Sequence, residues 1–341
     1  MLILKRTHRG TLLTVITAFS GGWLGYWIAA DAGWLLGSLV ATLLATLKGL
    51  PLRYPPLLQS SAVVLVGVSI GSALNIEMIE RLELWIPSLA GLCISVILTL
   101  VVVTYYLKRR GNCNHNTSLL SAYPGHLIVI LQLANQHSCD VQKVVTIQSL
   151  RMLFLVLILP TIAYLWMPEQ PSATTTTDYT SLGWLFIAGG AGALIAWLLR
   201  IPAALLIGAM AGSGAAAISG INVGTLPGEL KMTIFVLTGA MIGTRFISTK
   251  WTTIIGILPV AVSAMSITML ISAAIALPIA LLIEIPVIQL LLAYAPGGAE
   301  VMSLIAMATG HDPAFVGLHH IVRLLAMAAF FPLLVKLAIR P

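Results

Sequence analysis

The second half of this sequence repeats the first half at a fixed offset of 172 residues. A proline-glycine pair, an aspartate, an arginine and a further proline recur in the same order and without a gap: Pro124, Gly125, Asp140, Arg151 and Pro160, then Pro296, Gly297, Asp312, Arg323 and Pro332. The same offset joins Pro55 with Pro227 and Gly67 with Gly239, so the similarity covers the whole chain. The expected parts are a first repeat, a polar linker and a second repeat: 1–167, 168–180 and 181–341.

Each repeat is too apolar for a soluble domain. The chain is 59% hydrophobic and only 9% charged, whereas about a quarter of the residues in soluble domains are charged. About twenty apolar residues cross a bilayer, and each half contains five such runs besides the segment that carries its Pro-Gly pair. The runs are 11–30, 33–47, 56–75, 84–107, 141–166, 181–199, 203–219, 228–246, 251–282 and 314–337. We expect an all-α polytopic membrane protein with about ten transmembrane helices.

The charged residues predict how the repeats are oriented. With five crossings per half and a cytoplasmic N-terminus, most lysines and arginines fall on the cytoplasmic side and most acidic residues fall outside. Positive charge beside membrane spans usually marks the cytoplasmic face. Five is an odd number, so the second repeat is inverted relative to the first and both termini are cytoplasmic. The net charge of +7 is then topological, and no nucleic-acid partner is expected.

The Pro-Gly segments, near 117–135 and 286–309, interrupt an otherwise apolar pattern. Proline lacks an N–H and glycine tolerates unusual backbone angles, so these segments predict broken or re-entrant helices. Inverted repeats with interrupted helices are typical of secondary transporters that bind their substrate near mid-membrane. Backbone N–H groups at the start of a half-helix attract anions, although a kink that only aids packing is the alternative. The residues predicted to bind substrate through these breaks are Pro124, Gly125, Pro296, Gly297 and Gly298.

Arg151 and Arg323 are predicted to lie at mid-membrane depth. Arg323 follows Asp312 by eleven residues, or about 16 Å along a helix. A charged side chain is costly at that depth and is by default a functional candidate. Two readings stay open: each arginine contacts an anionic substrate, or each binds the carbonyl groups freed by the break in its own repeat.

Three further side chains are candidates for coupling transport to H⁺ or Na⁺. Glu300 has no acidic counterpart, because Ile128 stands at its position in the first repeat, and a salt bridge to Arg323 is its alternative role. His320 lies near Arg323 and titrates close to neutral pH when unperturbed. Asp312 precedes Pro313, a strong helix-start pattern, so it is also expected to cap a helix, as is Asp140.

No metal site or cofactor is expected from these patterns. The three cysteines have no metal-type spacing. His319 and His320 are adjacent and therefore point in different directions on a helix. Neither feature indicates an enzyme.

The stretch APGGAEVMSLIAMATGHDPAFVGLHHIVRLL and its weaker copy, from YPGHL to VVTIQSLRML, resemble the AbrB family of bacterial integral membrane proteins, which is defined by an internal duplication. The first copy departs from the pattern at Gln148, which replaces a histidine. The resemblance implies a location in the bacterial cytoplasmic (inner) membrane. It also implies an organisation similar to cation/proton antiporters and anion transporters, many of which work by an elevator movement. Members are labelled ammonia monooxygenases or regulators of gene expression.

The hypothesis that follows is a transporter-like protein in the lipid bilayer that moves a small anionic solute coupled to H⁺ or Na⁺. The first alternative is a membrane regulator that binds a ligand or partner without transport. The second is a metal-dependent monooxygenase, which is disfavoured because it needs a converging histidine cluster. Inverted-repeat transporters are often dimers, and a homodimer is left open.

Overall fold

The computed structural model describes residues 2–76, 82–125, 127–165, 178–221, 226–247, 249 and 251–338, and no strand occurs among them. Two short 3₁₀ turns, Leu82–Trp85 and Thr244–Phe246, accompany the α-helices. The helices are α1 Leu2–Leu47, α2 Pro56–Gly71, α3 Ile86–Arg110, α4 His115–Ala122, α5 Leu127–Gln136, α6 Val141–Leu165, α7 Tyr179–Leu198, α8 Ala204–Ile218, α9 Gly228–Gly243, α10 Trp251–Leu282, α11 Val287–Tyr294, α12 Ala299–Ala308 and α13 Pro313–Ala338.

The prediction of an all-α polytopic membrane protein is confirmed. Six helices within the described ranges are long and apolar enough to span a bilayer. Each of the ten predicted spans coincides with a helix or a helical arm. The ends agree to within a few residues except at the first arm, which begins at Leu2 and not at residue 11, and the span predicted at 251–282 is α10 itself. The two Pro-Gly segments are each split into a pair of short helices, α4 with α5 and α11 with α12.

Helix α1 consists of two arms joined by a sharp turn. Ala29 and Ala30 have non-helical angles, with φ −139° and ψ 30° at the first and φ 45° and ψ −134° at the second. The arms then run back along each other so closely that a Cβ on Gly25 would overlap the carbonyl oxygen of Gly33. Small residues permit such close approach of two helices. The arms correspond to the two separate spans predicted at 11–30 and 33–47.

The helix bounds repeat at the offset seen in the sequence. Pro56–Gly71 corresponds to Gly228–Gly243, His115–Ala122 to Val287–Tyr294, and Leu127–Gln136 to Ala299–Ala308, each pair displaced by 172 residues. The duplication is therefore present in the local structure as well as in the sequence. The inverted orientation of the repeats in the membrane stays a prediction.

The chain forms two compact units, and each unit draws on both repeats. The first unit comprises Met1–Glu80, Leu159–Ser248 and Ser303–Ala314, and the second comprises Arg81–Ile158, Thr249–Met302 and Phe315–Pro341. The sequence boundaries at 1–167 and 181–341 therefore describe repeats and not packing units.

The predicted linker at 168–180 is only partly visible. Residues 168–177 lie outside the described ranges. Asp178 caps α7 by accepting a hydrogen bond from the N–H of Thr180 at 2.9 Å, so the last two linker positions already belong to a helix.

In the first unit, the two repeats exchange matching contacts. A Cβ on Gly67 of α2 would lie 2.8 Å from the carbonyl oxygen of Leu206 in α8. A Cβ on Gly239 of α9 would lie 2.5 Å from the carbonyl oxygen of Leu35 in α1. Gly67 corresponds to Gly239, and Leu35 corresponds to Leu206, so each repeat packs its glycine helix onto the other repeat in the same way.

In the second unit, the first Pro-Gly segment returns to the side from which it starts. The amide of Asn114, just before α4, donates to the carbonyl of Ser138, just after α5, at 2.6 Å. The N–H of Asp140 donates to Thr117 Oγ1 at 2.9 Å. Because both ends of the segment are hydrogen-bonded together, it is a re-entrant hairpin and not a broken crossing helix. The hairpin packs on α3 and α6 through an apolar cluster that includes Leu120, Tyr123, Ile130 and Val144.

Candidate functional site

The second break, residues 295–298 between α11 and α12, is held by a buried arginine. Arg323 is 6% exposed. Its Nη1 donates to the carbonyl oxygen of Ala295 at 2.6 Å, and its Nη2 donates to that of Gly297 at 2.5 Å. The guanidinium therefore binds the carbonyl groups on both sides of Pro296, where the helix is interrupted. Of the two readings open from the sequence, these contacts are those of an arginine that binds the break in its own repeat.

His320 completes this arrangement. Its Nδ1 lies 2.8 Å from Nη2 of Arg323, and its Nε2 lies 2.9 Å from the carbonyl oxygen of Leu292. A guanidinium offers only donors, so Nδ1 must accept and Nε2 must carry the hydrogen given to Leu292. A second proton on Nδ1 would remove the acceptor that Arg323 uses. The geometry therefore suits a neutral positioning residue better than a proton carrier.

Gln148 makes the equivalent contact in the first repeat. Its Nε2 donates to the carbonyl oxygens of Leu120 at 2.9 Å, Ser121 at 3.2 Å and Tyr123 at 3.0 Å. Gln148 occupies the position of His320, and Leu120 occupies that of Leu292. Glutamine replaces the histidine of the family pattern here. The replacement preserves a side-chain N–H donor to the carbonyl groups at the end of α4.

A small cavity brings the two repeats together at Arg151. It lies wholly in the second unit, and its volume open to water centres is about 20 Å³, enough for about one water molecule. The lining residues are Thr99, Val103, Ser121, Ala122, Ile147, Arg151, Ala261, Ala264, Met265, Thr268 and Pro296. The cavity therefore joins the arginine of the first repeat to the proline of the second break. Arg323 is not among the described residues that line it.

Hydroxyl groups accompany Arg151 in this cavity. Ser121, Thr268 and Thr99 are all buried, at 2%, 4% and 6% exposure. Among the described residues, the Oγ of Ser121 has no hydrogen-bond partner, and a buried hydroxyl without a partner costs about 1–3 kcal/mol. Sequence reasoning missed Ser121; the available signal was a serine within the short helix directly before the Pro-Gly pair.

The glycines of the second break are surrounded by their own segment. The N–H of Gly297 donates to the carbonyl oxygen of Ala295 at 2.8 Å, so this predicted anion donor is engaged within the break. A Cβ on Gly298 would lie 2.8 Å from Oε1 of Glu300. The carboxylate of Glu300 therefore folds back over the break. Among the described side chains Glu300 makes no direct ion pair with Arg323, but the charge of Glu300 acts on Arg323, so the salt-bridge alternative stays a prediction.

At the first break, an aromatic ring packs directly against the glycine of the Pro-Gly pair. A Cβ on Gly125 would overlap the ring of Tyr123, whose hydroxyl donates to the carbonyl oxygen of Met327 at 2.8 Å. Pro124 is buried directly beside it. His126, the next residue, lies outside the described ranges. A role of Pro124 and Gly125 in binding an anion stays a prediction.

Both aspartates accept a backbone N–H from the first turn of the helix that follows. Oδ1 of Asp140 accepts from Lys143 at 3.0 Å, and Oδ1 of Asp312 accepts from Ala314 at 2.8 Å. These are the contacts of N-caps. The coupling role considered for Asp312 stays a prediction. Over the ranges that the structure describes, no three His, Cys, Asp or Glu side chains are arranged to hold a metal ion.

The fold and the cavity define an integral membrane protein built from two copies of one helical plan, each with an interrupted helix. The family model described as "Transition state regulatory protein AbrB" matches residues 34–339, and the chain belongs to this family. Two relatives are similar over nearly their full lengths. The "Uncharacterized protein YhjN" of Bacillus subtilis (strain 168) is 26% identical over 92% of this chain and 89% of its own. The "Putative regulator AbrB" of Escherichia coli (strain K12) is 22% identical over 96% of this chain and 95% of its own.

Proposed function

We propose that this protein is a secondary transporter of the bacterial cytoplasmic membrane that carries a small anionic solute coupled to H⁺ or Na⁺, with both termini cytoplasmic. The observation that carries the proposal is the cavity in which Arg151 and the hydroxyl of Ser121 face Pro296. A cation and hydroxyl donors at an interrupted helix suit an anion. The inverted-repeat plan supplies the analogy to transporters.

The two arginines have different roles in this proposal, one structural and one in binding the solute. Arg323 and His320 hold the second break in shape, because their hydrogen bonds go to Ala295, Gly297 and Leu292. Arg151 balances the charge of the solute. Glu300 is the coupling group, because its carboxylate lies over Gly298 at the second break and has no acidic counterpart in the first repeat.

Uptake into reconstituted vesicles tests the proposal directly. The purified protein is placed in liposomes and supplied in turn with radiolabelled acetate, succinate, phosphate and sulfate under an imposed pH or sodium gradient. We expect gradient-dependent uptake of at least one anion, and its loss in Arg151→Gln. The matched control is Arg200→Gln, which removes an exposed arginine after α7. Equal uptake by the wild type and Arg151→Gln would contradict the assignment of Arg151.

The second candidate function is a membrane regulator that binds a solute without moving it. The name of the Escherichia coli relative, "Putative regulator AbrB", favours it. Equilibrium binding of the same labelled anions to the detergent-solubilised protein separates the two readings. Binding that depends on Arg151, together with no uptake into vesicles, would support the regulator and contradict transport.

A further inference from the structure

A second and larger cavity lies next to the one at Arg151. Its volume is about 200 Å³, and it is lined by the loop residues Gly111, Asn112 and Cys113 together with side chains of α6 and α10. Like the first cavity, it lies wholly in the second unit. Ile147 lines both cavities, so this one side chain stands where they meet.

Helix α6 connects the two cavities along one face. Lys143, Ile147 and Arg151 are spaced by four residues, so they lie one above another and about 6 Å apart along the axis. Lys143 lines the larger cavity and Arg151 the smaller one. Helix α10 contributes in the same order, with Ile257 and Val260 at the larger cavity and positions 261–268 at the smaller one.

The polarity of this face changes sharply at its middle. The side chain of Lys143 is 32% exposed; its Nζ lies 3.6 Å from Oδ2 of Asp140 and donates to the carbonyl of Asn112 at 3.1 Å. Ile147 is 5% exposed and packs in an apolar cluster with Leu107, Ala122 and Ala264. An apolar constriction of this kind blocks ions by excluding water.

We propose that the larger cavity is the entrance through which the anion reaches Arg151, with Lys143 as its first cationic contact and Ile147 as the barrier. This inference rests on the proposed function, since it assigns the access route to the same solute. The class of solute that fits is a small oxyanion or short carboxylate, which Lys143 attracts and Arg151 receives. The entrance opens on the side of Lys108–Arg110, which the charge pattern predicts to be cytoplasmic.

Cys113 is a natural reporter of the charge at this entrance. With Cys93 and Cys139 replaced by serine, anionic and cationic methanethiosulfonate reagents of similar size are applied to inside-out vesicles, and the two labelling rates of Cys113 are compared. We expect Lys143→Gln to lower the anionic-to-cationic rate ratio about fivefold, the effect of one nearby charge in a water-filled site. Asp140→Asn retains an efficient cap and removes the opposing charge, so it should raise the ratio.

Ile147 is tested with a reporter on the far side of the barrier. Ser121→Cys is introduced into a chain in which all three native cysteines are serine, and labelling by the anionic reagent is timed. We expect Ile147→Ala to speed labelling about tenfold, Ile147→Phe to slow it, and the volume-conserving Ile147→Leu to leave it within about twofold. Elution as a single peak in size-exclusion chromatography shows that each variant is folded.

Both assays measure access and do not require transport, so they separate this inference from the proposed function. If the ratio of labelling rates at Cys113 is the same in the wild type, Lys143→Gln and Asp140→Asn, the larger cavity is not the entrance. If the labelling rate of Ser121→Cys does not change with the size of residue 147, Ile147 is not the barrier. If both expected labelling patterns are seen but none of the four anions is taken up, the access route is supported and the proposed transport function is contradicted.

Discussion

The two breaks occupy equivalent positions in the repeats but are held by different side chains. At the second break, Arg323 binds the carbonyl oxygens of Ala295 and Gly297. At the first break, Gln148 binds the carbonyl at position 123 as well as those at the end of α4. Arg151, the counterpart of Arg323, lines the cavity.

The interrupted backbone of each repeat needs hydrogen-bond donors for its freed carbonyl groups. Gln148 has the donor, reaches three carbonyls and carries no charge. In the second repeat the corresponding carbonyls are reached by His320 and Arg323. The two copies of one plan therefore meet the same need with different residue types.

The largest expected effect is the loss of stability on replacing Arg323, which holds the second break. Arg323→Ala leaves the carbonyl of Gly297 and the Nδ1 of His320 without the donor that Arg323 supplies, and it removes one of the two donors to the carbonyl of Ala295. Each buried group left unsatisfied costs about 1–3 kcal/mol. We expect a loss of about 3 kcal/mol or more, seen as a lower thermal midpoint in detergent. An unchanged midpoint for Arg323→Ala would contradict its role in holding the second break.

The next effect concerns Glu300, which has no acidic counterpart in the first repeat. Glu300→Gln preserves the size of the side chain and removes the charge over Gly298. We expect uptake to become independent of the imposed gradient, with a driven-to-undriven ratio that falls about tenfold towards one. The thermal midpoint in detergent is measured alongside, to show that the variant is folded. Gradient-driven uptake in this variant would exclude Glu300 as the coupling group.

Much of the fold was accessible from the sequence because hydrophobic length and chain breaks determine helices in a membrane. The offset that joins Pro296 to Pro124 also predicts where the paired short helices begin and end. Charge in the loops predicted five crossings per repeat. Outside the Pro-Gly segments, the described helices number five in each repeat when the two arms of α1 are counted separately.

The site was less accessible, because it depends on which carbonyl each side chain reaches. From the repeat alone, Arg151 and Arg323 are expected to have the same role, and Gln148 is expected to lack the role of the histidine that it replaces. Only the hydrogen bonds of Gln148 to Leu120 and Tyr123 show that it replaces His320. Ser121 escaped notice because a single serine in a short helix carries no periodic signal. The return of the first segment to its starting side likewise depends on contacts between loops.

A smaller effect tests whether the repeats remain equivalent where they pack in the first unit. Gly67→Ala and Gly239→Ala each push a methyl group against a carbonyl oxygen of the facing helix, that of Leu206 or Leu35, and the methyl group at position 239 also meets Ser38 Oγ. Overpacking of this kind costs about 1–3 kcal/mol, so we expect both thermal midpoints to fall, that of Gly239→Ala somewhat further. Gly190→Ala is the matched control, because a Cβ there meets nothing within 4 Å. Two drops that differ by more than about twofold would show that the packing has also diverged.

The smallest expected effect separates the two roles considered for His320. His320→Gln introduces the side chain that the first repeat already uses at this position, so the hydrogen bond to Leu292 is expected to remain and stability to change by less than about 1 kcal/mol. His320→Ala removes the hydrogen bonds to Leu292 and Arg323 and should lower the free energy of unfolding by about 2 kcal/mol. If His320 only positions Arg323, the pH profile of uptake in His320→Gln will match that of the wild type. If it carries the coupled proton, the glutamine variant will fold normally and lose the pH dependence, because an amide does not titrate. Thermal midpoints and uptake between pH 5 and 8 therefore distinguish a positioning residue from a proton carrier at a single position.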